Sequence, residues 1–482
     1  MSAWSGVSAA VCAAVLAAVP PLAAQDPVPP PAGPMRPFQA PRPATFTLAN
    51  GVRVVVVERG PIPIVSVAVL VEAGTTYEPA RQAGLATLAA TLLREGTVQV
   101  PGPELARSLG ELGSEWATFA GLTHAGVTLS TVPSRLPDAL KLVAAALRSP
   151  AFPADAVERR RGEALAGLEQ RTGDARVVGF DLLTRSLFGA GDPNGRPLAG
   201  TRPGVQALTR DDVVRWHREH YAPARTTLVV VGPVAPGRAR ALAEAAFGSW
   251  RAQPAPPRPA APPRAGPGAA PRVILVDRPG ATQTGIVVGR ATVPATDPLY
   301  FPLLVANRVL GVGTSSRLSR NLRERRGFTY GVQSYVEPRR GVGVLSIEGL
   351  VRADATDSAL VEISKELRRL AGGDVTADEV GGAVSGLVGS FPTSIATVQA
   401  LRTRVTNLVQ WEAPLDFYAG YRERLAAVTA PRVNAAAARL FDPGGMTWVV
   451  VGDLRTIEAP IRALNLGTVE VWHAEGVPRA TP

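Results

Sequence analysis

Two apolar runs occur twice in this chain with nearly the same spacing. The run RVVVVER at 53–59 returns as RVILVDR at 272–278, and TLVVVG at 227–232 returns as TWVVVG at 447–452. The two offsets are 219 and 220 positions. Short runs rich in β-branched residues are typical of buried strands, and a register kept over such a distance indicates tandem duplication. The chain is therefore predicted to contain two copies of one α/β unit, each with its own core.

The polarity pattern of the first copy predicts a sheet covered by helices. Alternating and continuous apolar runs predict strands over 45–48, 52–58, 65–72 and 227–231, with Asn50-Gly51 as a hairpin turn between the first two. Helical spacing of apolar residues predicts helices over 81–95, 102–112, 136–148, 153–170 and 211–220. This order predicts an α+β fold with two tandem homologous domains, each a mostly antiparallel or mixed sheet with helices packed on one face.

Changes in composition mark the ends of the two copies. Residues 1–24 have the pattern of a signal peptide, because their apolar centre is too short to span a bilayer and small residues allow a cut near Ala24-Gln25. A Pro-rich tether (25–44) follows, and a Pro/Ala-rich linker, expected to be exposed, separates the copies. The predicted N-terminal domain is 45–251, the linker 252–270, the C-terminal domain 271–473 and the tail 474–482.

The predicted leader implies a periplasmic or secreted protein, with an uncleaved anchor as the alternative. The single cysteine, Cys12, lies within the leader. The mature chain would then contain no cysteine, which excludes disulfides, thiol nucleophiles and Cys-ligated metals. Apolar runs after the leader are short and interrupted, so no stable membrane span is expected there.

The net charge of +11 comes almost entirely from arginine, since lysine occurs only at positions 141 and 365. The arginines are spread along the chain, and the clusters at 159–161 and 323–326 include or adjoin glutamate in helical pattern. Solvated helix faces explain such clusters. Nucleic-acid binding would need a contiguous basic stripe with interleaved aromatics, and aromatic residues make up only 5% of the chain. Nucleic acid is therefore not an expected partner.

The segment 84–97 (GLATLAATLLREGT) is an amphipathic helix with an unusual polar side. Leu85, Leu88, Ala89 and Leu92 form one face at helical spacing, and three residues lie on the opposite face. These three are Thr87, Ala90 and Thr91.

This segment resembles the metal-binding helix of the pitrilysin/insulinase family, the inverted zincins that include mitochondrial-processing-peptidase-like proteins. The family writes the helix as Gly-x-Ala-His-x-x-Glu-His, where two His bind zinc and the Glu activates its water. The resemblance places these histidines on Thr87 and Thr91 and the Glu on Ala90. The family's third ligand, a Glu, falls near Gly167 or Leu168, with Glu169 adjacent. The resemblance thus implies a degenerate site that binds no metal.

Other features of the chain extend the resemblance over most of its length. The sequence Pro193-Asn194-Gly195-Arg196-Pro197 resembles the family's Pro-Tyr-Gly-x-Pro region, with Asn in place of Tyr. In the second copy, Leu322-Arg323-Glu324 and Phe328-Thr329-Tyr330 match an Arg and a Tyr that contact substrate beside the zinc in the family. Residues 315–326 are predicted to be helical with Gly327 as C-cap, so that Arg323 and Tyr330 can point at one cleft. A solvated Arg323 and a plain sheet Tyr330 are the alternative.

The remaining candidates carry weaker chemistry. His217 and His220, three apart on a helix, could in principle share a metal, and the alternative is that neither histidine is a ligand. His124 and His473 are isolated, which favours surface or hydrogen-bonded roles. The segment 311–314 (GVGT) lacks the Gly-Lys-Ser/Thr of a phosphate loop, so a plain loop or a peptide-approach role is expected.

The resemblance implies a non-catalytic subunit of an exported, heterodimeric zinc peptidase. This chain would form one half of a clam-shell, without a cofactor of its own and inactive alone. It would contribute Arg323, Tyr330 and a chamber wall for a peptide substrate. The partner would be a catalytic homologue with His-x-x-Glu-His, and the zinc would lie in that partner. The alternatives are a structural or interaction protein with the peptidase fold, and an enzyme with a relocated active site.

Overall fold

A computed structural model of the protein describes residues 38–251, 254, 256–260, 262 and 270–479. The predicted signal peptide (1–24) lies outside the described residues, as do most of the predicted tether (25–44), most of the predicted linker (252–270) and the last residues of the tail. Within the described ranges, no helix combines the length and apolarity needed to cross a membrane.

The first half of the described chain forms a six-stranded mixed sheet. Its strands are β1 (Ala44–Thr47), β2 (Arg53–Glu58), β3 (Val65–Val71), β4 (Glu115–Ala120), β5 (Ala125–Thr131) and β6 (Thr226–Gly232). Their spatial order is β1-β2-β6-β3-β5-β4. The β2–β6 pair is parallel and the other pairs are antiparallel.

The second half forms another six-stranded mixed sheet. Its strands are β7 (Arg272–Asp277), β8 (Gln283–Thr292), β9 (Thr329–Pro338), β10 (Gly343–Arg352), β11 (Thr447–Gly452) and β12 (Thr468–Trp472). The order is β12-β7-β11-β8-β10-β9.

In each sheet the two repeated apolar runs are neighbouring strands that pair in parallel. Arg53 pairs with Thr227 in the first sheet, and Arg272 pairs with Thr447 in the second. The duplication seen in the sequence is therefore a duplication of sheet topology. The sheets differ at one edge, where β1 comes from the N-terminal side and runs antiparallel to β2, whereas β12 comes from the C-terminal side and runs parallel to β7.

Both halves also contain α-helices. In the first half they are α1 (Leu85–Leu92), α2 (Gly102–Glu111), α3 (Leu136–Arg148), α4 (Ala154–Thr172), α5 (Ala175–Phe188), α6 (Arg202–Ala207), α7 (Arg210–His220) and α8 (Pro236–Phe247). In the second half they are α9 (Tyr300–Gly311), α10 (Thr356–Ala371), α11 (Ala377–Ser394), α12 (Val398–Trp411), α13 (Tyr421–Ala426), α14 (Ala430–Leu440) and α15 (Leu454–Ala463).

The predicted α+β fold with two homologous sheets and packed helices is confirmed. The helix predicted over 81–95 is shorter, because α1 begins only after Gly84 and is preceded by a 3₁₀ turn at Ala80–Gln82. The β4–β5 hairpin and helices α5 and α8 had no counterpart in the sequence prediction. The Arg159–Arg161 cluster is less solvated than expected, since Arg159 and Arg160 both bind the Glu95 carboxylate.

One helix of each half packs on the sheet of the other half. Helix α5 packs on β8 and β11 of the second sheet, where Val178, Leu182 and Leu183 join its apolar core. The approach is close, because a Cβ added at Gly285 of β8 would lie 2.7 Å from Ala175 of α5. The two copies therefore share part of their cores, which the duplication alone did not predict.

The reciprocal contact is made by α12, which packs on β3 and β6 of the first sheet. Arg402 of α12 donates to the hydroxyl of Ser66 in β3 at 3.0 Å. Val65 and Val67, which flank Ser66, face the core formed with the first-half helices, since successive side chains of a strand alternate between faces. The face of the first sheet opposite its own helices is thus covered by a helix from the second half.

Candidate functional site

The helix of the predicted metal motif, α1, starts at a position that requires glycine. Gly84 has φ +109°, a left-handed conformation that other residues rarely adopt. The first N–H groups of the helix are bound by the buried carboxylate of Glu78, which accepts from the backbone N of Gly84 at 3.2 Å and of Ala86 at 2.7 Å. Glu78 thus caps α1 from a position outside the helix, and no motif in the sequence pointed to it.

Burial raises the pKa of Glu78 to about 7, although the two backbone donors and the nearby Arg196 act in the opposite direction. Arg196 is itself buried and donates to the backbone carbonyl of Glu78 at 3.2 Å. The Pro193–Pro197 segment is thereby tied to the start of α1. This loop holds the helix in place, so the sequence resemblance there reflects a structural role.

The hydroxyls of the two threonines on α1 donate hydrogen bonds to backbone carbonyls. Thr87 Oγ1 donates to the carbonyl of Leu198 at 2.6 Å, and Thr91 Oγ1 donates to the carbonyl of Thr87 at 2.9 Å. The second bond is the i to i−4 pattern common for threonine inside helices. Both hydroxyls are therefore engaged in holding the fold.

The third motif position and the distant carboxylate do not supply metal chemistry either. Ala90 is 1% exposed and has no polar atom in its side chain. Glu169 on α4 is 72% exposed and forms an ion pair with Arg202. In the described part of the chain, no group of three or more His, Cys, Asp or Glu residues is placed to hold a metal ion. The side chains at the motif positions do not fit the zinc that the family fold implies.

The histidines of α7 are packed into the protein. His217 Nε2 lies 2.8 Å from the carbonyl of Leu147, and burial lowers the pKa of His217 to about 4. The ring of His220 stacks on Trp216 at 3.9 Å, and its Nδ1 lies 3.1 Å from the Trp216 carbonyl. These contacts give both rings a structural role. His124 is buried as well, with its Nδ1 2.9 Å from the hydroxyl of Thr123.

Arg323 lies in a π-helical segment, Ser319–Arg325, where the sequence predicted an α-helix. Hydrogen bonds hold this wider turn against α10, because the Asn321 amide donates to Glu362 at 3.0 Å and to Glu366 at 2.8 Å. Gly327 follows with φ +63°, as expected of a C-cap glycine. Arg323 is exposed and has no ion pair within the described ranges. Single-turn π-segments occur frequently at functional sites.

Tyr330 occupies a β-bulge at the start of β9. The pairing with β10 shifts between Leu350, opposite Gly331, and Val351, opposite Thr329, so Tyr330 is the extra residue. The hydroxyl of Thr329 fixes the bulge by donating to the Leu350 carbonyl at 2.5 Å and accepting from the Gly331 N–H at 2.9 Å. The Tyr330 side chain is 91% exposed. Bulges re-aim a side chain away from the regular sheet, and here a large aromatic residue is held in solvent.

A cavity of about 870 Å³ opens between residues of both halves. It is lined by first-half residues such as Asp181 and Asn194 and by second-half residues such as Tyr335, Arg340 and Trp411. Neither Arg323 nor Tyr330 is among the described residues that line it. The cavity is therefore separate from the Arg323 and Tyr330 side chains. No sequence pattern pointed to this cavity, because its walls come from distant segments.

Comparisons with known proteins agree with this architecture. The model for the insulinase family (peptidase family M16) matches residues 53–202, and the model for the peptidase M16 inactive domain matches residues 207–387. The chain is similar to an uncharacterized zinc protease of Mycobacterium leprae (strain TN), with 29% identity over 402 residues, 82% of this chain and 88% of that protein.

Two further similarities concern part of the chain and the fold. Cytochrome b-c1 complex subunit 1, mitochondrial, of Bos taurus is 26% identical over 185 residues, which is 38% of each chain. The crystal structure of a peptidase M16 inactive domain from Pseudomonas fluorescens superposes with a TM-score of 0.79 at 23% identity, covering 85% of this chain and 98% of that one. The two family models together span more than half of the 482 residues. The chain belongs to the pitrilysin-like insulinase (peptidase M16) family.

Proposed function

We propose that this chain is a non-catalytic subunit of an exported zinc peptidase, in which it binds peptide beside a zinc held by a catalytic homologue. The observation that carries the proposal is the state of Arg323 and Tyr330. Both are exposed. Arg323 lies in a π-helical segment and Tyr330 in a β-bulge, and hydrogen bonds of neighbouring residues stabilise both irregularities. In contrast, the side chains of Thr87, Ala90 and Thr91 offer no ligand for zinc.

The two side chains suit a peptide carbonyl. A guanidinium and a phenol can both donate to a carbonyl oxygen, and such donors stabilise the negative charge that develops on it in amide hydrolysis. Neither group needs a metal in its own chain for this role. A partner with His-x-x-Glu-His would supply the zinc and the base, and this chain would supply donors and one wall of the peptide chamber.

The test is a reconstitution of this chain with a catalytic homologue from the same source. With Tyr330→Phe or Arg323→Ala, turnover of a peptide substrate should fall about 10²-fold, the usual cost of removing one preorganised donor. Arg325→Ala and Tyr335→Phe are the matched controls, since Arg325 is exposed in the same π-segment and Tyr335 is half exposed on the same strand. Both controls should keep full turnover.

Size-exclusion chromatography of each reconstituted pair shows whether the subunits still assemble. Assembly that stays intact while turnover falls supports a substrate-contacting role. Unchanged turnover in both Tyr330→Phe and Arg323→Ala, with the complex intact, would contradict it.

A second candidate is a structural subunit without a role in proteolysis. It is favoured by the partial match to a relative named as a subunit of the cytochrome b-c1 complex. The same reconstitution discriminates the two, because a structural subunit would assemble with partners while neither Arg323 nor Tyr330 affects peptide turnover.

A further inference from the structure

The segment Pro256–Ala260, which we name the strap, lies within the predicted linker. The sequence predicted an exposed connection, and three of the five strap residues are exposed, but the strap is also hydrogen-bonded to the folded body. Arg258 donates to the Glu72 carboxylate from Nε at 2.7 Å and also from Nη2. Pro256, Pro259 and Pro262 are half-buried, whereas Pro257, Arg258 and Ala260 are exposed. Burial of every third residue is the pattern of a polyproline II helix lying on a surface.

The acceptor of Arg258 is a preformed site in the first half. The Glu72 side chain is 15% exposed and also accepts from Arg225 at 2.6 Å and from the Tyr77 hydroxyl at 3.3 Å. Burial opposes the charge of Glu72, but Arg258 and Arg225 outweigh it and lower the pKa of Glu72. Arg225 donates to the backbone carbonyl of Pro256 as well. Glu72 and Arg225 thus recognise one side chain and one carbonyl of the strap.

The second half contributes Arg340, from the connection between β9 and β10. Its guanidinium donates to the carbonyl of Pro259 at 2.6 Å and to that of Ala260 at 3.4 Å. The side chain of Arg340 is 10% exposed and lies 3.6 Å from the Glu412 carboxylate at the end of α12. The strap is therefore held from both halves, largely through its backbone carbonyls, which a polyproline II segment leaves free of internal hydrogen bonds.

The strap also closes part of the cavity between the halves. Pro259, Ala260 and Pro262 line it together with Arg340, Thr76 and Trp411. Displacement of the strap would remove one wall of this cavity. These contacts resemble those of a bound peptide. One charged side chain forms an ion pair, and guanidinium groups donate to backbone carbonyls. The prolines restrict the free segment, so little conformational entropy is lost when it binds.

We propose that Glu72, Arg225 and Arg340 form a binding site for an extended, proline-rich peptide containing arginine, and that the chain fills this site with its own strap. The site differs from the one assigned to Arg323 and Tyr330, and it does not depend on the proposed function. In the intact chain the strap acts as an internal ligand that forms one wall of the cavity and contacts both halves.

The first test is limited proteolysis of the full chain with proteinase K, with cleavage sites in 252–262 mapped by mass spectrometry. Arg258→Glu places two like charges together and should raise the cleavage rate in this segment at least about tenfold, which corresponds to one charge-assisted hydrogen bond. Arg251→Ala, at an exposed arginine just before the linker, is the control and should leave the rate unchanged. Equal rates for the wild type and Arg258→Glu would overturn the bound strap.

The second test uses the peptide acetyl-Pro-Pro-Arg-Pro-Ala-amide with a fluorescent label. Saturable binding is expected to the Arg258→Glu chain, whose own strap is weakened, and at least about tenfold weaker binding to the wild type. Adding Glu72→Gln to the Arg258→Glu chain should abolish it, and so should replacing the arginine of the peptide with glutamine. Failure of the peptide to bind Arg258→Glu, or binding that survives Glu72→Gln, would overturn the site.

Discussion

The motif positions on α1 and the residues Arg323 and Tyr330 near the start of β9 differ in how their side chains are used. On α1, Thr87 and Thr91 donate to backbone carbonyls, and Ala90 is buried. In the second half, Tyr330 is 91% exposed at a bulge, and Arg323 is exposed on a π-turn. The polar groups of the first region are hydrogen-bonded within the fold, whereas those of the second region are exposed and available to a ligand.

The difference teaches that a helix without metal-binding side chains at these positions can still be well packed. Thr and Ala at the motif positions leave α1 well packed, because each hydroxyl donates to a backbone carbonyl. The π-turn and the bulge interrupt regular hydrogen bonding, and the side chains of Asn321 and Thr329 form hydrogen bonds at these two places. Such features are a better pointer to function than the well-packed helix is.

The largest expected effect comes from placing a carboxylate on α1. Ala90→Glu buries a charge at a position that is 1% exposed and should lower the free energy of unfolding by about 4 kcal/mol. Urea denaturation measures it. The double variant Thr87→His with Thr91→His, at half-buried positions, is the control and should cost about 1–2 kcal/mol. A triple variant that remains as stable as the wild type and binds zinc would show that α1 still has the room of a metal site.

The next effect concerns the pH dependence supplied by Glu78. The pKa of this carboxyl is about 7 in the folded protein against 4.5 as its ordinary value. Between these values the folded state holds a proton that the unfolded state has lost, so stability falls as pH rises. From pH 5 to pH 8 this contributes a loss of about 2–3 kcal/mol.

Urea denaturation of the wild type and of Glu78→Gln at both pH values isolates this term. The glutamine variant should lose about 2–3 kcal/mol less than the wild type over the same pH interval. An identical pH dependence of the two proteins would mean that Glu78 is charged in the folded state and that the α1 cap is ionic.

The smallest effects compare the two regions directly. Thr87→Ala removes the donor to the Leu198 carbonyl and should cost about 1 kcal/mol. Arg323→Ala removes an exposed side chain and should change the free energy of unfolding by no more than about 0.5 kcal/mol. Urea unfolding at neutral pH tests both variants. A larger cost for Arg323→Ala than for Thr87→Ala would place Arg323 among the residues that hold the fold.

Much of the architecture was predictable because it depends on local pattern. The repeated apolar runs indicated β2, β6, β7 and β11, and helical spacing gave α1, α3 and α4 within a few residues. The exchange of α5 and α12 was not predictable in this way. Apolar positions such as Leu182 and Leu183 show that α5 is buried, but they do not say against which sheet.

The same distinction between local pattern and distant contacts applies to the candidate site. The positions Thr87, Ala90, Thr91, Arg323 and Tyr330 follow from motif spacing, and their substrate role stays a prediction. Glu78, the π-turn and the strap depend on contacts between distant residues. Arg258 and Glu72 are 186 positions apart, and nothing in the composition of the linker indicates that it is bound.

Zinc content and peptide hydrolysis of the purified chain test most directly whether it has a catalytic centre of its own. Elemental analysis after dialysis against metal-free buffer should find zinc far below one ion per chain, and a mixed peptide library should remain uncut with or without added zinc. One zinc ion per chain, together with hydrolysis that a chelator abolishes and zinc restores, would contradict the assignment of this chain as a non-catalytic subunit.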